Sequence, residues 1–108
     1  MQKKGVTINH LYPYTNEESL SAGKCKSEGG YFRISSFDQI DEEDCDSILN
    51  ELKKGPVSVG ISGFNLQHYS SGVFNDCNNE PEDHAVLIIG YDSKRGWRIK
   101  NSWSDKWG

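Results

Sequence analysis

The sequence has no long apolar run. The longest, Ala85-Val86-Leu87-Ile88-Ile89, is strand-sized and well short of the roughly 20 residues a membrane-crossing helix needs. No membrane partner is expected. Long basic runs are also missing. The only adjacent basic pairs are Lys3-Lys4, Lys53-Lys54 and Lys94-Arg95, and the net charge is -4, so nothing points to nucleic acid as a partner. Met1-Gln2-Lys3-Lys4 leads into Gly5-Val6-Thr7 and not into the apolar segment of a secretory signal. Cysteine is scarce and odd in number. With only Cys25, Cys45 and Cys77, either one thiol is free or some partners lie on sequence outside this chain. The chain also stops at Trp107-Gly108, in the middle of what reads as an ordered segment. The expectation from these two facts is a fragment.

What is present is a globular profile. The 108 residues fit one domain, and 34% hydrophobic with 26% charged residues is the composition of a folded, soluble chain. Leu11-Tyr12-Pro13-Tyr14 is an aromatic knot around a proline, and residues 15–30 are polar and read as a loop. Tyr31 to Phe37 partly alternates and predicts a strand. One clear helix follows, over about 42–54. Asp41 is its predicted N-cap, with Glu42, Glu43 and Asp44 in the first turn. Cys45, Ile48, Leu49 and Leu52 form one apolar stripe, which makes Cys45 a small buried hydrophobe before a ligand or a nucleophile. Lys53 and Lys54 sit at the C-terminal end, and Gly55-Pro56 stops the helix.

Val57 to Ile61 alternates as a strand. A long stretch over 62–82, rich in glycine and asparagine, follows it. His84 to Tyr91 is a nearly continuous apolar strand, which predicts burial on both faces. Asp92 to Gly96 is a turn, and Trp97 to Asn101 alternates as a return strand that closes a hairpin. One helix with several antiparallel strands is an α+β chain.

His84 and Asn101 stand out within that hairpin. His84 opens one strand and Asn101 closes the other, so the pairing can bring them to one edge. An asparagine oxygen that accepts from one imidazole nitrogen fixes tautomer and ring orientation without adding charge. The second nitrogen then remains available to exchange a proton with a thiol. Trp103 stands two residues beyond Asn101, where an indole can keep water off that hydrogen bond.

Six blocks carry a resemblance to the papain-like cysteine proteases. They are Tyr12-Pro13-Tyr14, Gly55 to Val59, Tyr69 to Phe74, Asp83-His84-Ala85-Val86, Ile89-Gly90-Tyr91, and Lys100-Asn101-Ser102-Trp103 with Trp107-Gly108. They stand in the family's order and cover nearly the whole chain. The resemblance implies the sheet-rich, barrel-like right lobe of that fold, with the left lobe and the final strands outside residues 1–108. It implies that His84 is the general base and acid paired with a thiolate, that Asn101 orients it, and that Trp103 shields the contact. Trp107 would build part of the cleft wall. Val57 and Ala85 would line a pocket for an apolar substrate side chain, with Asp83 flanking the histidine. Ser104 replaces the glycine common after the tryptophan. His10 and His68 match no functional position and are expected to be exposed.

The family's nucleophile lies in a Cys-Gly-Ser-Cys-Trp-like block that this sequence does not contain. Cys25 and Cys77 match positions that the family uses for disulfides; a free surface thiol is the alternative for each. The implied function is peptide-bond hydrolysis that needs a separate N-terminal lobe, with this chain inactive alone. A non-catalytic binding or structural subunit is the alternative. A peptide or protein substrate is implied, no cofactor or metal is, and a lysosomal, vacuolar or secreted setting follows from the resemblance.

Overall fold

A computed structural model describes residues 5–15, 24, 30–41, 44–76 and 80–108. The chain forms two compact units, Met1–Gln39 and Ile40–Gly108.

In the first unit, Val6 and Phe32 form a single antiparallel bridge, with Val6 N donating to Phe32 O at 2.7 Å and Phe32 N to Val6 O at 3.0 Å. The expected strand over Tyr31–Phe37 does not form. Alternation alone does not make a strand when its ladder stops after one bridge. The aromatic Tyr12, Tyr14, Tyr31 and Phe37 are exposed.

Among its described residues, the second unit holds one α-helix, α1 (Cys45–Leu52), and three strands, β1 (Val57–Ile61), β2 (His84–Asp92) and β3 (Gly96–Lys100). A 3-10 turn, Asn65–His68, lies between β1 and β2. The strands form one antiparallel sheet in the order β1-β2-β3, and α1 packs on β1 and β2. This is the expected α+β class. The sheet is open, since three strands are too few to close a barrel.

The helix is shorter than expected. Its N-cap is Asp44, whose carboxylate accepts from Ser47 N at 2.9 Å. Asp41 instead contributes its backbone carbonyl to Asp44 N at 3.1 Å. Glu42 and Glu43 lie outside the described residues. The capped start makes Cys45 the first helical residue, and Cys45 is exposed, not buried as its stripe position suggested. A residue in the first turn projects past the end of the sheet-facing stripe, so periodicity over-extends the buried face. At the other end Lys53 is the C-cap, and Lys54 N and Gly55 N both donate to Glu51 O.

The β2 strand is not buried on both faces. Val86 and Ile88 are buried, while Ala85 and Ile89 on the opposite face are exposed. The core among the described residues is Leu66, Val86 and Ile88.

Candidate active site

The β2–β3 hairpin forms as the apolar run after His84, the turn and the alternating return strand predict. Leu87 pairs with Lys100 and Ile88 with Ile99, and a register irregularity follows between Ile88 and Gly90. Asn101 lies directly after β3. His84 is the first residue of β2, opposite Ile61 of β1, and Asp83 N donates to Ile61 O at 3.2 Å, extending the ladder by one residue.

This pairing sets Nε2 of His84 2.8 Å from Oδ1 of Asn101. A carbonyl oxygen only accepts, so Nε2 carries the hydrogen and donates it. Ser102 N donates to the same Oδ1 at 2.7 Å. Two donors converge on one amide oxygen, which fixes the amide's orientation as well as the ring's. With Nε2 engaged as the donor to Asn101, Nδ1 is the ring nitrogen that this bond leaves unused. Nδ2 of Asn101 is buried without a partner among the described residues.

Aromatic rings cover the pair. Trp103 stacks on the His84 ring with centroids 4.4 Å apart and planes 24° from parallel. Trp107 meets Trp103 edge-on at 5.5 Å and packs on Tyr69 at 5.3 Å. Its Nε1 donates to Leu66 O at 3.0 Å, so the indole is anchored on the buried residue of the 3-10 turn. His84, Asn101, Trp103 and Trp107 are all half-buried.

On the other side of the histidine, the Asp83 carboxylate accepts from Gly63 N at 2.7 Å. Gly63 is buried, and a Cβ placed on it would meet His84 Cβ at 3.0 Å. Glycine is therefore what lets the loop after β1 close against the histidine.

His84, Asn101, Trp103 and Trp107 thus come together, with Asp83 and Ala85 beside the histidine in the chain. Val57 does not join them. It pairs with Ile88, three residue pairs from Ala85 and on the opposite face of the sheet; the residue opposite Ala85 is Gly60. Cys25 and Cys77 lie outside the described residues. Cys45 is exposed at the start of α1, and no hydrogen bond joins it to His84. His10 and His68 are exposed.

The model of the papain family of cysteine proteases matches residues 1–108. The chain belongs to the papain family. Among its relatives, a senescence-specific cysteine protease of Arabidopsis thaliana is 39% identical over 96% of this chain and 32% of its own length. Vignain of Vigna mungo is 35% identical over 99% of this chain and 31% of its own. Cathepsin K of Gallus gallus is 36% identical over 97% of this chain and 33% of its own. The chain therefore spans about a third of the length of the curated relatives it matches.

Three residues that position this papain-family site had no signal in local sequence. Gly63, Leu66 and Tyr69 all fall in the stretch between β1 and β2. Tyr69 belongs to a block that carries the resemblance, but its contact with Trp107 spans 38 positions (107 minus 69). Only the folded hairpin reveals such a contact.

Proposed function

We propose that this chain supplies the histidine–asparagine half of a cysteine protease active site and hydrolyses peptide bonds only with a second, N-terminal lobe that carries the thiol. The observation that supports the reading is the His84–Asn101 hydrogen bond at 2.8 Å, which spends Nε2 and leaves Nδ1 for proton exchange.

In the assembled site, Nδ1 of His84 takes the thiol proton and leaves a thiolate–imidazolium pair. The thiolate adds to the scissile carbonyl, and Nδ1 returns the proton to the departing amine as the C–N bond breaks. The product of this half is a thioester. A water then gives its proton to Nδ1 as its oxygen adds to the thioester, and the thiol leaves reprotonated. Asn101 is a positioning residue throughout: it holds the imidazole ring in one plane and accepts from Nε2–H in both charge states. The Trp103 ring excludes water from that bond and so strengthens it. Trp107 buttresses Trp103, and Ala85 with Asp83 adjoins the position of the substrate.

Alone, this chain forms no acyl-enzyme, because covalent catalysis needs the nucleophile. The setting consistent with this reading is lysosomal, vacuolar or secreted, where a Cys25 or Cys77 disulfide to the other lobe persists.

Peptide mapping of the native protein under non-reducing conditions tests the proposal. The expected result is Cys25 or Cys77 joined to a peptide from a Cys-Gly-Ser-Cys-Trp-containing lobe, or that lobe found in the same polypeptide, with an active-site-directed thiol reagent labelling the lobe and not residues 1–108. A native protein with no such lobe and no thiol-dependent peptidase activity favours a binding subunit.

A further inference from the structure

Gly60 and Glu82 form a feature that the mechanism does not use. Gly60 pairs with Ala85, one residue pair from the Ile61–His84 pair, so the two small residues share one exposed face of the sheet at the histidine end. A Cβ on Gly60 would run into Oε2 of Glu82 and would sit 3.0 Å from Cδ and 3.7 Å from Cβ of the same side chain. The carboxylate of Glu82 thus occupies the space that any larger residue at position 60 would fill. Glu82 has no ion pair among the described residues, where the one ion pair is Lys54–Glu51. The neighbouring Asp83 differs, since its carboxylate is engaged by Gly63 N–H.

The chemistry of a substrate side chain seated on Ala85 and Gly60 follows from that carboxylate. An apolar group would strip water from Glu82 and return no hydrogen bond, which is costly. A guanidinium or ammonium group brings donors and the opposite charge to the same oxygens. We propose that Glu82, lying over Gly60, makes this surface select a basic substrate side chain, arginine or lysine, in place of the apolar one that the resemblance implies. The proposal rests on the protease reading above and deepens it.

The test uses the intact two-lobe protease and a peptide library in which each position on the acyl side of the scissile bond is varied in turn. The expected result is one position at which Arg or Lys exceeds Leu in kcat/KM by about tenfold, the scale of one charge-assisted hydrogen bond. In Glu82→Gln that Arg-to-Leu ratio collapses toward unity through loss of the Arg peptide. Gly60→Val displaces the carboxylate by a different route and shifts the same ratio toward Leu. A wild-type enzyme that prefers Leu at every position overturns the proposal, as does an Arg preference that Glu82→Gln leaves intact. Failure of the intact protein to cleave any peptide overturns the protease reading itself, and the specificity proposal with it.

Discussion

Trp103 lies nearly flat on the imidazole of His84, with the two planes 24° apart and the ring centres separated by 4.4 Å. The stack is the last link in a chain of supports. Leu66 is buried and holds the Trp107 indole through its carbonyl oxygen; Trp107 in turn meets Trp103 edge-on. A residue of the small core is therefore tied to the orientation of the histidine.

Asn101→Ala removes the acceptor for Nε2–H. A hydrogen bond to a charged group is worth about 1.5–3 kcal/mol, so kcat/KM of the assembled protease falls by about 10- to 150-fold. KM is expected to change little, because the bond acts on the ring and not on substrate. Steady-state kinetics on a peptide substrate separates the two parameters.

Gly63→Val places branched carbons where even a Cβ stands 3.0 Å from His84 Cβ and 3.2 Å from Asp83 Oδ1. The histidine must move. A misplacement of about 1 Å costs on the order of 100-fold in rate, and kcat is expected to drop by that order in enzyme that still folds by circular dichroism.

Trp107→Phe keeps the ring contacts with Tyr69 and Trp103 but loses the Nε1–H bond to Leu66 O. The expected loss of stability is about 1 kcal/mol, measured by urea denaturation of the intact protein.

Ser104 has φ of 80°, in the left-handed region that costs a non-glycine residue roughly 1–2 kcal/mol. Ser104→Gly relieves that strain but adds about 0.5–1 kcal/mol of unfolded-chain entropy, and it deletes the 3.3 Å Lys106 N to Ser104 Oγ bond. The net expectation is a gain of about 0.5 kcal/mol, read as a higher denaturation midpoint at unchanged slope.

The carboxyl of Asp44 is held below its ordinary 3.8 by hydrogen bonds from the Ser47 hydroxyl and then the Ser47 backbone N–H. The folded value is the depressed one. Its stabilisation of α1 is therefore complete above pH 3.8 and is lost as pH falls below that through the lowered value. Amide exchange across Cys45–Leu52, followed as the pH is lowered with the intrinsic rate divided out, should show protection falling in that window. Asp44→Asn keeps a capping oxygen and should flatten the dependence.

The hairpin and the His84–Asn101 pair were legible because their signals are local. The alternation of residues 97–101, the Asp92–Gly96 turn and the apolar run after His84 lie within one short stretch. The start of α1 was ambiguous, because Asp41 and Asp44 are both good caps and only the Ser47 contacts choose between them. Cys45 was expected to be buried from its place on the apolar stripe, but as the first residue of the capped helix it is exposed. The partner of Ala85 was not legible at all. Strand β1 reaches β2 across a 22-residue connection (62–83), and no sequence pattern states whether Val57 or Gly60 ends opposite Ala85. The Tyr31–Phe37 segment alternated as a strand does, but pairing is a property of two segments, and its ladder ended at Phe32.

The two ladders of β2 overlap only at Leu87 and Ile88. Strand β1 pairs with residues 84–88, and β3 pairs with 87–92. Histidine and asparagine are therefore held by different zippers. A fluctuation that unfastens β3 leaves His84 in its place but carries Asn101 away, so the imidazole loses its tautomer and its plane while the rest of its strand stays paired. The opening equilibrium of a single hairpin thus caps the fraction of molecules in which the imidazole keeps its Asn101 partner at any instant, and residues around the Asp92–Gly96 turn, far along the strand from the histidine, tune that fraction.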